Sequence, residues 1–334
     1  MADQAERESP RLPSIHDTGG REGKFRANDG AVIRYAWWRG DKARHAGNGA
    51  GCVVYFNGRT EFIEKNLETV GELVARGFDV WTLDWRGQGL SQRLLGNRHK
   101  GHIEDYGQHL RDLRLFFRDY VEPRTRERCV LLGHSMGGHV ALRVLQEPPI
   151  RFTHAVLTSP LIDLYAGNVV ARGLQHATAA LGGWPLMAQA YVPGRGDYGP
   201  RNQRYQGNDL TADPQRFART HAYIAANPEL ALGGPTLGWL NATRRSIALV
   251  RAPAFARTIR TPLLILSATA DKVVSNKAQQ AFIEQVPQGR LHSIEGAQHE
   301  ILIEQDDHRR QFWEQFDAFV SGGDASGEGS PQSV

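Results

Sequence analysis

Five consecutive residues, Gly133-His134-Ser135-Met136-Gly137, set a serine between two glycines. They lie between an apolar run at 129–132 (CVLL) and a helical stretch at 136–147. A serine hydroxyl attacks a carbonyl carbon only when a base takes its proton. A sharp strand-to-helix turn presents such a hydroxyl well: the backbone on either side closes up, so side chains at 133 and 137 would clash. The turn lifts Ser135 above the carboxyl edge of a sheet and leaves it at a helix N-terminus, where the dipole favours developing negative charge. Attack on an ester or amide makes a tetrahedral intermediate whose oxygen needs backbone N–H donors. The residue after the nucleophile, Met136, is one candidate donor. The loop Phe56-Asn57-Gly58-Arg59-Thr60 is the expected source of a second.

A base and an acid must complete the set. Of the 13 histidines, His292, His299 and His308 follow the apolar run 263–268. His292 lies inside a predicted strand and His308 opens a predicted helix, which leaves His299, in a loop at 295–300, as the base. Two aspartates compete to orient it. Asp271 follows the 263–268 strand, and Asp163 follows the strand at 153–159. Either carboxylate would fix the imidazole tautomer; Asp163 also reads as a hinge residue or helix N-cap.

The elements that must position these groups alternate along the chain. Runs at 31–38, 51–56, 78–83, 129–132, 153–159, 263–268 and 290–294 read as strands. Stretches 61–77, 105–121, 136–147, 275–286 and 308–320 place apolar residues three and four apart, as helices do. Strands alternating with helices predict a mostly parallel sheet covered on both faces. From about 160 to 260 the alternation breaks into an irregular stretch rich in aromatic residues, Gly and Pro.

With Gly133 to Gly138 reading Gly-His-Ser-Met-Gly-Gly, the chain resembles the α/β-hydrolase superfamily. More narrowly it resembles the monoacylglycerol lipase and lysophospholipase group of serine aminopeptidase S33-like proteins. The resemblance covers about residues 30–320. It implies an α/β-hydrolase fold with an eight-stranded sheet and a cap inserted after the sixth strand. The expected division is a flexible segment 1–24, a core of 25–159 and 261–320, a cap of 160–260, and a disordered tail 321–334. It implies that Asp271 is the acid, that His299 is the base, and that the Arg59 main chain is the second oxyanion donor. Where the family usually carries His-Gly, this chain has Asn57-Gly58, which makes Asn57 a candidate substrate contact. The match at Asp84–Ser91 implies a turn that organises the loops around the site.

The resemblance implies hydrolysis of a carboxylic ester of a single-chain lipid, a lysophospholipid or monoacylglycerol, through an acyl-enzyme. The chemistry calls for no cofactor and no metal. Alternatives are a general carboxylesterase, a proline iminopeptidase-like aminopeptidase, and a non-catalytic binding protein on the same scaffold. The uncharged stretch 173–194, with Trp184 and Met187, is expected to line an acyl pocket or rest on lipid, or simply to pack the cap. Segment 161–260 holds eleven arginines, five acidic residues and no lysine, which suits phosphate-bearing lipid or an anionic membrane surface, or is a solvated basic face. No nucleic-acid motif accompanies that charge. Cys52 and Cys129, the two cysteines, lie in apolar runs and give no disulfide framework. Residues 1–24 lack the apolar centre of a secretory signal, and no apolar run is long enough to span a bilayer. The expected location is cytoplasmic, with peripheral contact at the inner membrane face left open. Oligomeric state is not legible.

Overall fold

The computed structural model describes residues 12–41, 51–124, 128–146, 148–167 and 169–322. Its centre is an eight-stranded sheet of β1 (Arg21–Arg26), β2 (Val32–Trp38), β3 (Cys52–Phe56), β4 (Asp79–Leu83), β5 (Cys129–His134), β6 (His154–Thr158), β7 (Leu263–Ala268) and β8 (Gly289–Ile294). The spatial order is β1-β2-β4-β3-β5-β6-β7-β8. Only β1 with β2 and β2 with β4 pair antiparallel; the other neighbours are parallel.

The central strands β3, β5, β6 and β7 are buried at every position, and mostly apolar, because both sheet faces are covered. Successive side chains point to opposite faces. Val54, Phe56, Leu131, Leu157 and Ile265 join one core cluster, while Val53, Tyr55, Leu132, Val156 and Leu266 join the other. Helices α2 (Gly107–Phe116), α3 (Met136–Gln146) and α9 (Asn276–Ile283) cover the first face. Helices α1 (Leu67–Ala75) and α10 (Asp306–Ser321) cover the second. Cys52 and Cys129 sit opposite each other in register on β3 and β5, both buried and free.

Between β6 and β7 the chain forms α4 (Val169–Leu181), α5 (Pro185–Ala188), α6 (Pro214–Ala226), α7 (Leu237–Val250) and α8 (Phe255–Thr258). Asp213 caps α6 by accepting from the Gln215 and Arg216 N–H groups, and Thr236 caps α7 through Trp239 N. The insertion is stitched to the core by short bridges, Gly101 with Pro235 and Leu164 with Val274.

One expectation at the N-terminus needs correction, and one strand needs adding. Residues 12–24 are not a flexible lead: Ile15 is buried against the second core cluster, and β1 begins at Arg21. The strand escaped the sequence reading because its six residues, REGKFR, bury only Phe25. It is an edge strand, and its polar residues face solvent. Residues 1–11 and 323–334, the rest of the expected flexible ends, lie outside the described residues. Among the described residues no helix is long and apolar enough to cross a membrane.

Candidate active site

The turn after β5 is tight in the way the glycine spacing requires. Ser135 takes a left-handed backbone conformation with φ of 52°, a strained state that the surroundings must enforce. A Cβ at Gly137 would lie 2.2 Å from the Phe56 carbonyl oxygen, and one at Gly133 would lie 3.0 Å from Gly138 Cα. Helix α3 starts at Met136, immediately after the serine.

The structure brings Ser135, His299 and Asp271 together. His299 Nε2 is 2.8 Å from Ser135 Oγ, and His299 Nδ1 is 2.7 Å from Asp271 Oδ2. All three are buried. The other Asp271 oxygen accepts from Val273 N at 2.7 Å and Val274 N at 3.0 Å, so the carboxylate cannot swing away. Burial alone would raise the Asp271 carboxyl. The hydrogen bond and charge of His299 and the two N–H groups outweigh it and leave it below the usual range. An ionised Asp271 requires the proton on Nδ1, which leaves Nε2 to accept from the serine hydroxyl. Asp163 lies elsewhere, with its carboxylate 2.6 Å from Arg251.

The loop after β3 carries the second part of the site. Gly58 N donates to Glu61 Oε2 at 2.5 Å, and Thr60 N donates to Gln88 Oε1 at 2.6 Å. Two side-chain acceptors thus engage the N–H groups on either side of Arg59. Glu61 and Gln88 leave the Arg59 N–H as the donor that this loop can offer together with Met136. Gln88 belongs to the Asp84–Ser91 turn. In that turn Asp84 accepts from Ile63 N at 3.0 Å and Leu90 N at 2.9 Å, and Trp85 Nε1 donates to Asn57 O at 2.8 Å. The turn therefore grips the loop by side chains at several points.

Sequence reasoning missed a buried ion network behind this loop. Lys65 Nζ lies 2.8 Å from Glu61 and 2.7 Å from Glu300, the residue after His299. Burial disfavours the charge on Lys65, but Glu300 and Glu61 more than compensate and raise it above the ordinary lysine value. Glu61 is likewise opposed by burial yet held at about 2 by Lys65 and its neighbours. Glu61, His134 and Glu300 are close enough to hold a metal ion. The Lys65 ammonium already bridges the two carboxylates, and burial takes His134 down to about 4, which keeps it neutral. The cluster is therefore a closed ion network joining the oxyanion loop to the histidine loop. The charges in the stretch EFIEKN were visible, but nothing in the sequence pairs Lys65 with a residue 235 positions away.

A cavity of about 140 Å³ opens at Ser135. Its walls include the apolar Leu161, Leu164, Leu210, Val273 and Val274, with Arg59 and Trp239 also exposed to it. Three expected substrate contacts are not among its lining residues. Asn57 is fully buried and donates to Leu83 O at 3.1 Å, tying the loop to β4 instead. Trp184 and Met187 lie on the outer surface of the insertion with Leu174 and Leu186, and Leu186 is 97% exposed. The expected phosphate-binding cap is also partly spent on internal pairing. Arg216 lies 2.6 Å from Glu68, 2.8 Å from Asp213 and 2.7 Å from Asp306. Arg219 also pairs with Glu68.

The family model described as serine aminopeptidase, S33 matches residues 47–306. A protein of Escherichia coli (strain K12) named lysophospholipase L2 is 33% identical over 295 residues, covering 85% of this chain and 83% of that one. A monoacylglycerol lipase of Mycolicibacterium smegmatis is 24% identical over 286 residues, covering 85% of this chain and 91% of its own. Among solved structures, a soluble variant of monoglyceride lipase from Saccharomyces cerevisiae, in complex with a substrate analogue, matches with a TM-score of 0.74. It is 18% identical, and the match covers 94% of this chain and 99% of that one.

Proposed function

The chain belongs to the serine aminopeptidase S33 family, and from that premise we propose that it hydrolyses the carboxylic ester of a single-chain lipid, a lysophospholipid or monoacylglycerol. The observation that carries the reading is the unbroken hydrogen-bonded line from Asp271 through His299 to Ser135. Ser135 Oγ bonds to the ester carbonyl carbon as its proton passes to His299 Nε2. The oxygen of the tetrahedral intermediate is met by the N–H groups of Met136 and Arg59. The carbon–oxygen bond to the leaving alcohol then breaks, and His299 returns the proton to that alcohol. Water attacks the acyl-enzyme by the same route in reverse, and the fatty acid leaves.

The lipid ester reading over a peptide reading is supported by the relatives named lysophospholipase L2 and monoacylglycerol lipase. The apolar cavity walls also suit a hydrocarbon chain. A peptide amine would need a free carboxylate beside Ser135. The carboxylate that lines the cavity, Glu300, is bonded to Lys65. Leu174, Trp184, Leu186 and Met187 are large apolar residues exposed on the insertion. We read these residues as a peripheral contact with lipid, from which a single-chain substrate enters.

The decisive experiment is labelling by a fluorophosphonate probe, followed by turnover on nitrophenyl butyrate, 1-palmitoyl glycerol, lysophosphatidylglycerol and a proline aminoacyl amide. The reading expects labelling at Ser135 and turnover of at least one lipid above the amide. Labelling with turnover of the amide alone would replace it with a peptidase.

A further inference from the structure

Arg59 is a half-buried arginine that no carboxylate among the described residues neutralises. Its guanidinium donates to Gly233 O at 2.7 Å and lies 5.2 Å over the Trp239 ring, while its Nε is buried without a hydrogen-bond partner. The fully buried arginines are built differently. Arg34 pairs with Glu22, Glu64 and Asp84, Arg86 with Asp29 and Asp112, and Arg309 with Glu72. Arg93 also lacks a carboxylate, but it donates to the carbonyls of Gly87, Glu229 and Ala231 and does not line the cavity.

The charges that reach Arg59 do little to settle it. Burial pulls its guanidinium down to about 10, with Tyr106, Arg195 and Tyr191 as the nearby titratable groups. It is therefore still cationic at neutral pH. Even a partly buried cation without a counter-charge is costly to keep. Its stacking on Trp239 and its bond to Gly233 hold it in one place rather than neutralise it. That place is the wall of the cavity that also contains Ser135 and His299. Glu300 lines the same cavity but is already bonded to Lys65 at 2.7 Å.

We propose that the Arg59 side chain receives the phosphodiester of an anionic headgroup on the leaving-alcohol side of the substrate, so that the site selects lysophospholipid over neutral monoacylglycerol. This rests on the lipid ester reading above and narrows it. In such a substrate the phosphorus lies one glycerol unit from the scissile ester. A guanidinium offers paired N–H groups that match phosphate oxygens. The Arg59 side chain takes no part in bond making, and its main-chain N–H keeps the oxyanion role given above. The ester carbon–oxygen bond breaks at Ser135, the glycerol oxygen takes its proton from His299, and the phosphodiester leaves intact.

The test compares kcat/KM for 1-palmitoyl lysophosphatidylglycerol and 1-palmitoyl glycerol in the full chain, in Arg59→Met and in Arg59→Lys. The ratio of the two constants should favour the lysophospholipid in the wild type, fall by about 100-fold in Arg59→Met and by about 10-fold in Arg59→Lys. Both constants falling together, or an unmoved ratio, overturns the proposal. A wild type that hydrolyses monoacylglycerol but not the lysophospholipid also overturns it, while leaving the lipid ester reading in place. Turnover of neither lipid sinks that reading itself. Should Arg59→Met fail to fold, competition on the wild type decides. Glycerophosphoglycerol should inhibit nitrophenyl butyrate turnover at concentrations where glycerol does not, and equal effects of the two would refute the assignment.

Discussion

Gly137 stands so close to Phe56 that a methyl group on its Cα would come within 2.2 Å of the Phe56 carbonyl oxygen. Helix α3 thus packs directly on the end of β3, where the oxyanion loop begins. Gly137→Ala must push that loop away from Ser135 or distort the turn. We expect at least a 100-fold loss of esterase turnover, the scale of losing one oxyanion donor. Destabilisation of about 1–3 kcal/mol should accompany it, as overpacking gives. Urea unfolding read beside nitrophenyl butyrate turnover checks both, and wild-type activity would show that the contact relaxes freely.

Asp271 and Asp163 give a direct comparison. Asp271→Asn keeps the shape but loses the charge that fixes the imidazole tautomer, so kcat should fall by about 10⁴. Asp163→Asn should change kcat by less than about threefold, because its carboxylate serves Arg251. Stopped assays on both purified variants distinguish them; equal losses would mean that the acid has been misassigned.

Glu61→Gln tests the ion network as a positioning device. The amide oxygen can still accept from Gly58, but Lys65 loses one of its two partners. The expected cost is about 3 kcal/mol of stability for a broken buried pair. Activity should fall by about 10-fold or more in kcat with KM nearly unchanged, because the oxyanion geometry loosens while the cavity keeps its walls. A rise in KM alone would assign Glu61 to substrate binding.

Acid stability should depend on Glu68. Burial opposes its ionisation, but Arg216, Arg309 and Arg219 hold its carboxyl at about 2, against 4.5 for the free group. A carboxyl depressed by folding stabilises fully above pH 4.5, and its contribution is lost as the pH falls toward 2. Glu68→Gln should therefore destabilise the protein at pH 7 and flatten the stability profile between pH 4.5 and 2. Thermal melts across that range test it; an unchanged slope would show the cluster to be screened.

Leu186 probes the surface reading of the insertion. Leu186→Asp should weaken co-sedimentation with vesicles of anionic lipid and slow turnover of vesicle-borne substrate by about threefold or more, with nitrophenyl butyrate turnover unaffected. Undiminished vesicle binding would remove the surface from consideration.

The nearness of Ser135 and His299 was legible because each sits in a loop after an apolar run at one sheet edge, whereas position left Asp271 and Asp163 both open and only the family resemblance pointed to Asp271. The side-chain directions were not legible. Asn57 turns into the body of the protein to reach Leu83, and Trp184 and Met187 face outward. In both cases tertiary packing decides the direction, and local sequence does not carry it. The eight-stranded sheet was implied by the resemblance, yet β1 was missed as an edge strand with a single buried residue. The arginine-rich insertion read as one basic face because Glu68, which neutralises Arg216 and Arg219, belongs to the distant helix α1.

The backbone of the insertion reaches the histidine loop directly: Glu300 N donates to Leu210 O at 2.8 Å, and Thr211 Oγ1 donates to Ile303 O at 2.8 Å. A shortened protein joining β6 straight to β7 would lose two anchors beside the base along with the roof of its cavity. Engineering that grafts a foreign insertion onto this scaffold must therefore carry those two acceptor–donor pairs across, or the imidazole will drift before any new substrate is met.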